Sequence, residues 1–108
     1  MKVFSEYADG HLTIFLLGEL DHHEVKESIN LISGLIDQYL PRVCVLDLAG
    51  LHFMDSSGIA LILRLKKRLS AEQNDFRVEN AGGQPLRVID ASAIERLVQI
   101  TAAKEAEA

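Results

Sequence analysis

The sequence predicts a single α/β domain: a mixed sheet of four to five strands packed against helices, in the order β-β-α-β-α-β-α-(β). Three observations predict it. A turn signal, Asp9-Gly10, separates two short runs with strand character. Apolar residues then recur three and four apart in two long stretches, as amphipathic helices require. Between those stretches, Val43 to Leu48 is almost continuously apolar, the pattern of a strand covered on both faces.

Each element follows from local chemistry. Val3 to Ala8 and Leu12 to Leu17 form an expected edge hairpin around Asp9-Gly10. Asp21 and Glu24 have capping-box spacing, so a helix is expected to start there. Val25, Ile29, Ile32, Ile36 and Tyr39 form its apolar stripe, widened by Leu31, Leu35 and Leu40. It is expected to end at Leu40, because Pro41 disfavours helical geometry in the residue before it. After the strand Val43 to Leu48 comes a short loop, then a helix in which Gly58, Ile62, Leu65 and Leu69 face the sheet and Arg64, Lys67 and Arg68 face away. Ala71 to Asp75 reads as a turn, Phe76 to Glu79 as a strand and Asn80 to Gly83 as a loop. Pro85 suits the first turn of a third helix. Leu86, Ile89 and Ala93 share its face, Ile94 and Leu97 continue it, and a break is expected near Ala91-Ser92. Val98 to Thr101 closes the domain, assigned to residues 1–101. Residues 102–108, alternating alanine with charge, are expected to be a frayed helix or disordered.

Composition narrows the function. With 108 residues, 48% of them hydrophobic, the chain can build a core without disulfides or metals. No apolar run approaches the roughly 20 residues that span a bilayer. Met1-Lys2 leads straight into Val3-Phe4 without a signal-peptide pattern, so a cytoplasmic location is expected. The one cysteine, Cys44, falls inside a strand and reads as a small buried hydrophobe. A formal charge of -5 argues against nucleic acid as a partner. The bases of the second long helix make a local positive patch, which a solvated helix face would also explain.

Two strand-to-helix junctions are polar: Glu19 to His23 and His52 to Gly58. Sites in α/β sheets collect at such junctions, and the two are expected to adjoin in space. In the second, Asp55 is a good N-cap, with Ser56 and Ser57 in the first helical turn. Seven positions make about two turns, so Ser56 should stack over Leu63 and Ser57 over Arg64. Ser57 is therefore expected to face the solvated side and Ser56 the edge of the core. A phosphate on Ser57 would lie at the positive end of the helix dipole. The alternative is that Asp55-Ser56-Ser57-Gly58 is only a cap and a tight turn.

Catalysis and metal binding fit poorly. The Gly-x-Ser-x-Gly elbow fails at both serines, because Met54 precedes Ser56 by two and Asp55 and Ile59 flank Ser57. Asp21 with His22 or His23 allows a triad on paper, and Glu19 with Asp55 a carboxylate pair. A chain this short, without tryptophan, offers little substrate pocket, so no enzyme is expected. His22 and His23 are adjacent and diverge by about 100° on a helix, so no metal and no cofactor is expected. Gly82-Gly83 has no following Lys-Ser or Lys-Thr, so a P-loop reading fails.

Gly18-Glu19-Leu20-Asp21-His22-His23, with Leu51-His52-Phe53-Met54-Asp55-Ser56-Ser57-Gly58, resembles the bacterial anti-sigma factor antagonists of the STAS family. The resemblance runs to about Thr101 and implies a single STAS-type domain. It implies a cytoplasmic, monomeric partner switch. The unphosphorylated antagonist binds a serine kinase that is also an anti-sigma factor, and the sigma factor is released. The kinase phosphorylates the second serine of the motif, here Ser57, and the antagonist lets go. A metal-dependent serine phosphatase restores it. By the same carry-over Glu19, Asp21, His22, His23, Met54, Asp55, Ser56 and Gly58 belong to the partner-binding surface. Asp47 either faces this site or caps a turn. A STAS module with another output, such as a signalling scaffold, is the alternative; a small hydrolase and a ligand- or nucleotide-binding domain are more distant ones.

Overall fold

The longest strand sets the frame. In the computed structural model, which describes residues 1–103, β2 (His11–Leu20) pairs antiparallel with β1 (Lys2–Ala8) across the Asp9-Gly10 turn. On its other edge β2 has two partners in succession. Residues 11–15 pair in parallel with β3 (Val43–Asp47), and residues 18–20 with β4 (Leu51–Met54). The change of partner occurs at Gly18, whose φ of 107° a residue with Cβ rarely adopts, and a register shift follows it. β3 then pairs in parallel with β5 (Asp75–Ala81), and β5 with β6 (Gln99–Ala102).

The connections are α1 (Val25–Tyr39), α2 (Ser56–Ala71) and α3 (Gly83–Ser92), the last followed by a 3₁₀ turn, Ile94–Arg96. The order β2-β3-β5-β6 advances in one direction. Right-handed crossovers therefore put all three helices on the same face. Leu12, Ile14, Cys44, Leu46, Phe76 and Val78 line that face and form one core with Ile32, Ile36, Leu61, Ile62, Leu65, Leu69 and Ile89. Burial pushes the Cys44 thiol up to about 12, against a weaker opposing pull from Arg68, so it is an inert apolar group.

The architecture is the expected mixed α/β sheet, with three α-helices and six strands among the described residues. The extra one is β4, which the sequence suggested was loop, and β2 runs three residues further than expected, to Leu20. Both differences have one cause: Gly18 and Glu19 look like a loop but form the bulge that lets β2 exchange β3 for β4. β3 is also not covered by helices on both faces. Val45 is buried because Thr13 and Arg77 flank it in the sheet, and the rest of that face is polar or partly open.

α1 starts at Val25, later than the Asp21–Glu24 spacing suggested: Asp21 holds the turn before it, and the N-cap Glu24 makes no side-chain cap bond. The ends of α1 and α3 fall where expected, with corrections to the stripes. Leu40 takes a left-handed conformation (φ 47°) and donates its N–H to Ile36 O before Pro41. Leu31 and Leu40, assigned to the apolar stripe, are 51% and 69% exposed, because the inward face is narrower and centred on Ser28, Ile32 and Ile36. Ser28 is accommodated by donating to Glu24 O at 2.8 Å. On α2, Gly58, Ile62, Leu65 and Leu69 are buried as expected. α3 does divide near Ala91-Ser92: Ala93 turns left-handed at φ 58°, and the turn that follows leaves Leu97 63% exposed. Ala102, placed in the tail by its composition, ends β6, and Ala103 N donates to Ala81 O. The rest of the expected tail, 104–108, lies outside the described residues.

Candidate functional site

The two polar junctions are neighbours because β2 and β4 are. Their last paired residues are Leu20 and Met54, so the chain leaves both strands at the same sheet end. Asp55 N then donates to Leu20 O at 3.2 Å. The Asp55 carboxylate joins the two junctions: Oδ1 accepts from Ser57 N at 2.8 Å and Oδ2 from His22 N at 3.1 Å. One side chain thus caps α2 and holds the segment between β2 and α1, and the His22 ring lies alongside with Nδ1 3.6 Å from Oδ2. Asp21 organises its own segment, accepting from His23 N at 2.9 Å and Glu24 N at 3.1 Å. The His22 and His23 rings lie 3.9 Å apart, tilted by 39°.

Electrostatics at Asp55 follow from these contacts. Burial at the junction disfavours its charge, but hydrogen bonds from the Ser57 backbone and side chain and from His22 outweigh that and hold the carboxyl below the ordinary carboxylate range. Asp55 is therefore ionised at neutral pH, directly beside the Ser57 hydroxyl.

The serines do not point as their spacing suggested. Ser56 is exposed and Ser57 is half-buried. At Arg64 that side of α2 is open to water, but one turn into the helix the same side meets the Asp55 carboxylate and the segment carrying His22. Ser57 remains partly open to solvent, so its oxygen is not sealed in the core. Glu19, His22 and His23 are exposed, and Asp21 and Asp55 are half-buried around it.

Met54 and Gly58, expected at the partner surface, are both buried and cannot form it directly. They shape it from below. A Cβ at position 58 would collide with Met54 Cγ and Sδ and crowd Leu20 Cδ2, so any larger residue would force these buried side chains to shift.

The same fold recurs in known proteins. A family model described as STAS domain matches residues 5–108. The chain belongs to the STAS family. An anti-sigma F factor antagonist of Paenibacillus polymyxa is 30% identical over 104 residues, covering 93% of this chain and 86% of that relative. Another, from Lysinibacillus sphaericus, is 43% identical over 60 residues, a match that spans 56% of this chain and about half (51%) of the relative. The solved anti-sigma factor antagonist SpoIIAA, unphosphorylated, superposes with a TM-score of 0.77 at 28% identity, covering 92% of this chain and 87% of that one. SpoIIAA of Bacillus has also been solved phosphorylated, with a TM-score of 0.69 at 28% identity over 92% of this chain and 90% of that one.

Two features of this STAS domain escaped the sequence. Gln84, in the first turn of α3, clamps the Met54 backbone: Oε1 accepts from Met54 N at 2.8 Å and Nε2 donates to Met54 O at 2.9 Å. This gives Met54 of β4 a backbone partner besides β2, its strand partner among the described residues. No local pattern marks Gln84, because its partner is 30 residues away. Phe53, paired with Glu19 in the sheet, is a large apolar side chain left 39% exposed near the ends of β2 and β4. Asp47, whose role had two readings, caps a turn: Oδ1 accepts from Ala49 N at 2.9 Å and Oδ2 from Asn80 Nδ2 at 2.8 Å. No helix among the described residues is long and apolar enough to cross a membrane.

Proposed function

We propose that this chain is an anti-sigma factor antagonist that works as a phosphorylation-controlled partner switch, without catalysis of its own. Unphosphorylated, it binds a serine kinase that is also an anti-sigma factor, and the sigma factor is freed. Phosphorylation of Ser57 by that kinase ends the binding, and a metal-dependent serine phosphatase restores it. The switch acts as a monomer in the cytoplasm, where the kinase finds its ATP. The curated relatives carry the name of such antagonists.

The observation that carries this reading is the position of Ser57. Its hydroxyl is partly open at the N-terminus of α2, beside an ionised Asp55 that also holds His22. A phosphate there brings about -1.5 to -2 charges and three acceptor oxygens to this junction. It competes with Asp55 for the amides of the helix N-terminus and repels it. The surface formed by Glu19, Asp21, His22, His23, Asp55 and Ser56, with Phe53 at its margin, becomes more negative and more strongly hydrated. A partner docked over it is released. Buried Met54 and Gly58 hold the surface in shape.

Exposure alone favours Ser56 as a kinase target; the motif position and the contact with Asp55 favour Ser57. Incubation with the cognate kinase and ATP, followed by peptide mass mapping, decides between them. The expected result is one phosphate, on Ser57. A phosphate confined to Ser56 or elsewhere defeats the assignment.

A further inference from the structure

The outer face of α2 has an unusual charge balance. The chain carries 11 bases against 16 acids, yet α2 contains four bases, Arg64, Lys66, Lys67 and Arg68, and no acid. A solvated helix face ordinarily mixes signs and forms i,i+4 pairs along its length. Here two i,i+4 ridges, Ala60-Arg64-Arg68 and Leu63-Lys67-Ala71, run side by side and border a shallow, open groove of about 780 Å³. Arg68 is already engaged, with the Asp37 carboxylate and Ser33 O of α1 and with Glu72. Arg64 and Lys67 are exposed, and neither has a carboxylate within 4.0 Å among the described residues.

We infer that this groove docks an acidic amphipathic helix presented by the serine kinase; the inference rests on the kinase-binding reading above. A groove between two i,i+4 ridges is the shape into which a ridge of a second helix fits. Ala60 and Ala71 leave room for close approach, Leu63 supplies apolar contact, and Arg64 and Lys67 await carboxylates. The stripe continues through Ala60 to Ser56 and Ser57, so the groove opens onto the switch. Arg64 lies about 10 Å along the helix from Ser57, seven residues at about 1.5 Å each. An acidic helix in the groove points one end at Ser57, where a phosphate would oppose it.

The test is calorimetry of the unphosphorylated chain against the kinase at low and moderate salt, comparing wild type with R64E/K67E. Both side chains are exposed and without carboxylate partners among the described residues, so the variant is expected to melt with the wild type. It is expected to bind at least about tenfold more weakly at low salt, with a flatter salt dependence. In the phosphorylation assay its KM should rise while kcat stays unchanged. Equal affinity and equal KM for the two proteins overturn the groove and leave the switch standing. Failure of the wild type to bind the kinase overturns both. A change instead in the sedimentation of the chain alone, or in retention of a DNA duplex, overturns the inference in favour of self-association or nucleic acid.

Discussion

Replacing Ser57 with aspartate is expected to weaken kinase binding about 100-fold, whereas replacing it with alanine should leave the affinity within a few-fold. The reason is local. Aspartate puts a fixed negative charge within reach of the ionised Asp55 carboxylate, at a junction where burial already works against charge. A partner docked over this already acidic surface has to strip the water from the added charge without offering a matching cation; a charge buried unpaired costs roughly 2–5 kcal/mol, and a factor of 100 corresponds to about 2.7 kcal/mol. Alanine removes a hydroxyl without adding charge or volume. Misfolding does not explain the expected loss, because an acidic side chain in the first turn of a helix interacts favourably with its dipole. Calorimetry with the kinase reads the affinities, and thermal melting checks the fold. Equal affinity for the two variants would refute the electrostatic mechanism.

The second large effect is expected at Asp55. Its carboxylate caps α2 through Ser57 N and tethers His22 N, so Asp55→Ala removes both contacts. Loss of such a cap costs about 0.5–2 kcal/mol, and the tether places the expected cost in the upper part of that range. Asp55→Asn keeps an acceptor and should cost less. The pH dependence has a definite sign. The folded-state carboxyl lies below its ordinary value, so its charged contacts stabilise the fold above the unfolded pKa, about 3.9, and are lost as pH falls through the folded value. The gap in unfolding free energy between wild type and Asp55→Asn is therefore expected to be full at neutral pH and to shrink below about pH 4. Denaturant unfolding across pH measures it. A gap that widens on acidification would show that the carboxylate is not stabilised by these partners.

The sequence was most legible where local chemistry and packing agree. Asp55 reads as a cap and is one, Pro41 ends α1, and Gly58, Ile62, Leu65 and Leu69 turn inward. The adjacency of the two polar junctions was legible too, because both lie where strands hand over to helices. The misses are long-range. Nothing near Leu51–Met54 shows that β2 will bend at Gly18 to receive it as a strand. Nothing near Gln84 shows that its amide will hold the Met54 backbone. The two serines were misoriented because helical spacing reports the angle of a side chain but not what stands opposite it. Around Ser57 the neighbour is Asp55, held in place by His22 from a different part of the chain. Leu31, Leu40 and Leu97 show the same limit: an apolar residue at the margin of a stripe is covered only if something comes to cover it.

The most direct measurement takes one sample through a full cycle. Its affinity for the kinase is determined by calorimetry before treatment, again after stoichiometric phosphorylation mapped to Ser57, and once more after the serine phosphatase has removed the phosphate. Binding is predicted to fall by about 100-fold or more in the second state and to return in the third. A phosphorylated protein that binds as tightly as the untreated one would contradict the account.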